Sequence, residues 1–314
     1  MIATNIPLKN KNWFKTGGNA RFYAEPTNSQ EFQYALAFAR QQQQMPVFVL
    51  GEGANILISD DGFDGLVIHP KLQSITHEQD STDVLLHADA GVSMDALIEY
   101  CLAHQLSGLE EFSGIPSSVG GAVFINLHYF QFLISQFLVR AQVIHKDSGI
   151  IETVDNSWFK FGYDYSTLHD GTHFLLNATF KVKLISELET AYARGRRVEI
   201  IRHRHARYPT SHTCGSFFRN FHPHEVMLES NGKKMIFVAY YLDKIGIKGA
   251  LSVGDAIVSH QHANMLVNRG NATSADIVEL ARTIQELTMR EFGILPQAEC
   301  LLVGFTTYPL KKVA

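Results

Sequence analysis

Cysteine is scarce in this chain, and neither sign of charge dominates it. Cys101, Cys214 and Cys300 stand far apart in 314 residues, a spacing that supplies neither a disulfide framework nor a paired-cysteine metal site. The opening MIATNIPLKN lacks the basic start and apolar run of a secretory signal, so the expected compartment is a reducing cytoplasm. Long hydrophobic runs are missing as well. The apolar stretches at 47–50 and 120–125 fall far short of the roughly 20 residues that cross a bilayer, and no membrane partner is expected. Lys and Arg number 27 against 31 Asp and Glu, a formal charge of −4, which gives no bulk attraction for nucleic acid. No internal repeat, low-complexity segment or heptad run is visible.

What the chain does have is a globular composition, 46% hydrophobic and 18% charged, and enough length for two or three domains. Asn28, with Glu31 three residues later and Phe32, Leu36 and Ala39 at helical spacing, predicts a helix over 28–44 that Pro46 stops. A short buried strand at 47–50 follows, then strands at 66–68 and 84–88 and a helix at 93–104 with Met94, Leu97, Ile98 and Cys101 on one face. Apolar stretches at 139–145, 150–154 and 174–184 are more purely β, so the first half reads as α+β. Six arginines (Arg194, Arg196, Arg197, Arg202, Arg204 and Arg207) crowd the segment 187–207, and the domain change is placed there. The plain reading of that segment is a solvated helix and linker; the other is a face toward an anionic substrate. A last helix is predicted from the capping pair Thr273 and Asp276, a stripe of Ile277, Leu280, Ala281, Ile284 and Leu287, and the stop at Gly293.

Four motifs carry chemistry. GEGAN at 51–55 has the strand-to-loop grammar of a phosphate site. Ile56 stands where a dinucleotide fingerprint needs its third glycine, and LISDDGFDG follows instead of a helix, so the Rossmann reading fails. What remains is either a plain loop or a turn whose amides approach a pyrophosphate, with Asn55 holding the turn or bonding the ligand. GIPSSVGGA at 114–122 adds a rigid turn from Gly114 and Pro116, hydroxyls from Ser117 and Ser118, and a close backbone pass at Gly120 and Gly121. Two such loops without a P-loop lysine point to a long cofactor touched at several places, for which FAD is the natural candidate. CGSFFRN at 214–220 and ILPQAE ending at Glu299 offer a proton-donating hydroxyl and a carboxylate.

In their order and wording these motifs resemble the UDP-N-acetylenolpyruvoylglucosamine reductase family, over about 12–304. NWFKTGGNA at 12–20, FGYDYSTL at 161–168 and the run HANMLVNRGNATSADI join the four motifs in that likeness. The resemblance implies a vanillyl-alcohol-oxidase-like, two-part FAD-binding region over 1–186, with α+β subdomains of about 1–70 and 71–186, and an α+β substrate-binding domain over 187–314. It implies FAD as cofactor, NADPH as co-substrate, and a UDP-linked amino-sugar enolpyruvyl ether as substrate in cytoplasmic peptidoglycan precursor synthesis, hence in cell-wall biogenesis, cell shape and division. It assigns Ser216 as the acid that protonates the α carbon and Glu299 as the catalytic carboxylate. Gly51, Glu52, Gly53, Ala54, Asn55, Gly114, Ile115, Pro116, Ser117, Ser118, Gly120 and Gly121 fall on the cofactor side; Tyr163, Arg219, Asn220 and Lys248 fall on the substrate side.

The chain also departs from that pattern. Asp164 stands where the family has an arginine after the FGY tyrosine, a reversal of sign for a group that meets a carboxylate. After Asn126 the chain reads NLHYFQ in place of small residues, adding bulk at Leu127, His128 and Tyr129 beside the expected flavin ring. Ala54 replaces a serine, and Pro296 and Gln297 replace a leucine and an acid. Two readings therefore stand: the family's reductase, or a diverged flavoprotein with another substrate or a non-catalytic FAD or nucleotide-sugar binder. The i, i+2 histidine pairs 203/205, 222/224 and 260/262 complete no recognised metal motif, and no metal is expected.

Overall fold

In the computed structural model, which describes residues 1–42, 45–80 and 83–312, Asn28 accepts the Glu31 amide and opens helix α1 (Ser29–Gln41). The last two residues of the expected 28–44 helix lie outside the described residues. The chain divides into two compact units that interleave in sequence. The first comprises residues 1–5, 21–52 and 65–204, the second 6–20, 53–64 and 205–314.

The first unit is built on two sheets. A four-stranded sheet runs in the order Ile2–Pro7, Asn19–Ala24, Phe63–Ile68, Val47–Val49, with the last pair parallel. Helix α1 buries Phe32, Ala35, Leu36 and Ala39 in one core with Leu66 and Ile68, at about 1.5–3 kcal/mol for each large side chain. The second sheet is antiparallel, in the order Ile151–Asp155, Leu138–His145, His173–Leu184, Asp83–Asp89, Ile75–Asp80, with Leu106–Ser107 also on the long strand. Strand Asp83–Asp89 buries every second residue, the signature of a sheet wet on one face. Its dry face, with Val84, Leu86 and Ala88, packs in one core with Met94, Leu97, Ile98 and Cys101 of α2 (Met94–Ala103) and Val119, Ala122 and Val123 of α3 (Val119–Phe124).

The arginine-rich segment forms one unbroken helix, α4 (Glu187–Arg207), burying Thr190, Ala193 and Ile200. Two of its arginines bind acids of the same unit. Arg196 holds Glu111 through two hydrogen bonds of 2.9 and 2.8 Å, and Arg197 holds Glu99 and Asp95 at 2.7 and 2.9 Å.

The second unit joins α5 (Val238–Ile245), α6 (Ser274–Phe292) and the three-stranded meander Ser252–Val253, Ala256–Val258, Leu266–Asn268. A parallel pair, Ile56–Ile58 with Leu301–Val303, ties the early segment to the end of the chain. Phe14 and Leu57, from the two early segments, are fully buried with Phe217, Phe218, Leu280 and Ile284. Helix α6 starts on the reciprocal cap of Thr273 and Asp276 and stops at Gly293 in a left-handed conformation, φ 68°. No helix of the described residues is long and apolar enough to cross a membrane.

Candidate active site

The second glycine loop is fixed by its own hydroxyls and by the turn before α2. Ser118 accepts the Gly121 amide at 3.1 Å, Ser117 donates to the Ser118 carbonyl at 2.9 Å, and Gly120 donates its amide to Ala90 at 2.9 Å. Gly51 of the first loop abuts this one: a Cβ there would stand 2.6 Å from Ser118 Oγ. Within the first unit the two loops thus form one cradle whose close passage requires glycine. Gly114 is exposed, Ile115, Pro116, Ser117, Gly120 and Gly121 are half-buried, and Glu52 is exposed at the first loop. In the second unit Gly53, at φ 66°, leaves 2.6 Å between a would-be Cβ and the Lys11 carbonyl, and its own carbonyl accepts the Trp13 amide. Its glycine therefore serves packing. Beyond half-buried Ala54, Asn55 Oδ1 is buried with no hydrogen-bond partner among the described residues, an acceptor that a bound group would satisfy. In the first unit the close-passing backbone fits a phosphate; in the second, the orphaned Asn55 oxygen fits a donor of a ligand, such as a hydroxyl or an amine, since a phosphate itself accepts. The strand Ile56–Ile58 follows the loop directly; the sequence excludes a helix there but does not mark this strand.

The two departures NLHYFQ and Asp164 meet within the first unit. Asn126 bonds the Gly162 carbonyl at 3.0 Å and the Ser135 amide at 3.3 Å, pinning two loops together. At the tip of the second loop the exposed Tyr163 ring lies 5.3 Å from the His128 ring, and Asp164 Oδ1 is 3.4 Å from His128 Nδ1.

The second unit carries Ser216 and Glu299. The GSFF segment lies between two others: Ser216 bridges Met265, Phe218 bridges Ala298, and the Glu299 amide donates to the Phe217 carbonyl at 2.9 Å. Ser216 and Glu299 thus lie on adjacent segments joined by isolated bridges, one step out of register, both half-buried. Asn264 locks this pairing, accepting the Phe218 amide at 3.1 Å and donating to its carbonyl at 2.7 Å. Gly215, at φ 78°, turns the chain into the segment. Cys214 and Cys300 flank it as buried free thiols, and burial, with the Cys300 thiol in hydrogen-bonding contact, raises the Cys214 pKa well above the ordinary thiol range.

The substrate-side candidates are already engaged with protein groups. Arg219 grips Glu225 with two hydrogen bonds of 2.8 and 2.7 Å and bonds the Asn220 carbonyl at 2.9 Å. The guanidinium holds the Glu225 pKa down to about 2. Asn220 accepts the first amide of α5, that of Val238, at 3.2 Å, and Lys248 lies 3.3 Å from Asp243. His262 receives the Asn264 amide on Nδ1; burial first, then the charges of Arg207 and Lys248, lower its pKa against the pull of Asp243. Asn264, which organises the GSFF segment, was visible in sequence only as part of the HAN motif. Its role depends on a partner 46 residues away.

Residues 207–303 match the family model described as UDP-N-acetylenolpyruvoylglucosamine reductase, C-terminal domain, and residues 20–154 match that of an FAD binding domain. The chain is similar to the UDP-N-acetylenolpyruvoylglucosamine reductase of Chloroherpeton thalassium, at 34% identity over 98% of this chain and 94% of that protein. To the enzyme of the same name from Latilactobacillus sakei it is 33% identical, over 96% and 93%. The crystal structure of UDP-N-acetylenolpyruvylglucosamine reductase from Thermus caldophilus superposes with a TM-score of 0.75 at 27% identity, over 96% of this chain and 98% of that one.

Proposed function

The chain belongs to the UDP-N-acetylenolpyruvoylglucosamine reductase family, and from that premise we propose that Ser216 and Glu299 carry out its reaction. That reaction is the FAD-dependent, NADPH-driven reduction of UDP-N-acetylenolpyruvoylglucosamine to UDP-N-acetylmuramate in peptidoglycan precursor synthesis. The fold is the α+β, vanillyl-alcohol-oxidase-like FAD-binding type joined to a reductase C-terminal domain. A cytoplasmic place of action goes with NADPH and nucleotide-sugar chemistry.

Gly51, Glu52, Gly53, Ala54 and Asn55 of the first loop, with Gly114, Ile115, Pro116, Ser117, Ser118, Gly120 and Gly121 of the second, would hold FAD, their close backbone and hydroxyls meeting its phosphates. When bound, FAD supplies to the substrate's β carbon the hydride it has taken from NADPH. Ser216 then gives its hydroxyl proton to the α carbon. A serine hydroxyl is a weak acid, so its position must be held where the transient alkoxide is stabilised. The observation that carries this assignment is the doubly paired GSFF segment, with Ser216 bridged to Met265 and Glu299 donating to Phe217. Glu299 orients the enol carboxylate through a shared proton. Tyr163, Asn220 and Lys248 stand on the substrate side. Arg219 acts there through Glu225, whose carboxylate already fills its fork.

Anaerobic half-reactions test this reading. The purified protein is expected to be yellow, to be bleached by NADPH and to regain its colour with the enolpyruvyl substrate. Ser216→Ala is expected to leave the bleaching and slow the recovery by about 10²–10⁴-fold. Equal recovery in the variant removes Ser216 from its role, and bleaching without recovery in the unsubstituted protein leaves a flavoprotein with another substrate.

A further inference from the structure

Two loops of the first unit hold an imidazole against a carboxylate, and several hydrogen bonds brace them. His128 Nδ1 lies 3.4 Å from Asp164 Oδ1, with the side chains 33% and 17% exposed. Asp164 sits in a turn closed by the Gly162 amide on the Tyr165 carbonyl at 3.0 Å. That turn is braced from behind: Ser166 Oγ donates to the Phe124 carbonyl at 2.7 Å, and the His169 ring stacks on Phe124 at 3.9 Å. Asn126 ties the turn to the loop that carries His128. Three non-glycine residues of these loops, Asn126, Phe130 and Asp164, are left-handed at φ 52°, 51° and 51°. Backbone held in that region gathers at functional sites.

We propose that His128 and Asp164 form a positioning dyad, in which Asp164 fixes the imidazole and the protonated His128 presents its outer N–H to the carboxylate of the substrate. The inference rests on the reductase reading above. With Nδ1 taken by Asp164, Nε2 is the ring nitrogen left for a ligand, as in other carboxylate-oriented imidazoles. One N–H suits a single carboxylate better than a diphosphate, which calls for several donors. The neutral ring would turn a lone pair outward beside a fixed anion and reject the same carboxylate, so the dyad binds substrate in its imidazolium form. Charged groups on the elements packed against it have partners of their own. Glu110 and Glu111 lie on the turn packed against strand His128–Tyr129, where Glu110 receives the Gly108 amide and Glu111 receives Arg196. His203 and Arg204 of α4 meet the Tyr129 hydroxyl and ring. Tyr163 faces the imidazole with its ring.

Steady-state kinetics of the FAD-loaded protein at neutral pH provide the test. His128→Gln, which can still donate to Asp164 but carries no charge, is expected to raise KM for the enolpyruvyl substrate about tenfold and to change kcat less than KM. His128→Arg, which carries a fixed charge, is expected to keep KM close to that of the unsubstituted protein. A His128→Gln protein with unchanged KM, or a His128→Arg protein impaired as much as His128→Gln, overturns the dyad while leaving the reductase reading intact. Failure of the substrate to reoxidise the reduced, unsubstituted protein overturns both.

Discussion

A methyl group at position 51 would stand 2.6 Å from Ser118 Oγ, and that hydroxyl already accepts the Gly121 amide. Gly51→Ala must therefore displace the hydroxyl, loosening the loop on the cofactor side. Losing about one such bond, at 0.5–1.5 kcal/mol, is expected to weaken FAD binding roughly 2- to 10-fold, measured as flavin retained on dialysis. Glu225 makes a second prediction at this scale. Its folded pKa of about 2 lies below the ordinary carboxylate value of about 4.3. A depressed carboxylate stabilises the fold above its unfolded pKa, and that contribution is lost as pH falls toward the folded one. Chemical denaturation between about pH 5 and 2 is expected to show this loss, on the order of 2 kcal/mol after discounting partial exposure. Glu225→Gln, which removes the charge at neutral pH as well, is expected to flatten that part of the curve.

Among the elements, α6 has the most heavily satisfied start. Thr273 and Asp276 cap each other, while Asp60 Oδ2 accepts the Ser274 amide and hydroxyl at 2.8 Å and the Ala275 amide at 3.3 Å. Asp60→Ala is expected to cost about 1–2 kcal/mol in a denaturant titration, as loss of a strong helix cap does. The capping pair was legible in the sequence because its two residues are neighbours. Asp60, 214 residues away in sequence from Ser274, was not. The same distinction holds elsewhere. The caps at Asn28 and the strands Asp83–Asp89 and Leu138–His145 follow from local spacing. Strand Ile75–Asp80, with the sequence ITHEQD, shows no apolar alternation and owes its place to its neighbour. Sequence likewise marked Asp164 and His128 as two separate departures, because periodicity reports which face a residue occupies and not which residue it meets.

For the whole molecule, every cysteine is a buried free thiol, and burial lifts Cys101 to about 12. A thiol reagent at neutral pH is expected to find no rapidly reacting cysteine in the folded protein and three after denaturation; a fast native reaction would contradict the burial. The interleaving of the two units was beyond sequence reading altogether, since GEGAN and NWFKTGGNA give no sign that Phe14 and Leu57 belong to a core with residues beyond 214. A fragment of residues 205–314 is therefore expected to fail to fold alone, lacking both those side chains and the strand Ile56–Ile58; a cooperative melt of that fragment would refute this. Synthesis imposes the same dependence in time. The partner of Ile56–Ile58 is Leu301–Val303, so at about 5–20 residues per second the early strand emerges from the ribosome roughly 12–50 s before its mate exists. Throughout that interval an apolar strand edge, ILI, is open to any neighbour, which makes the nascent chain a natural client for chaperones.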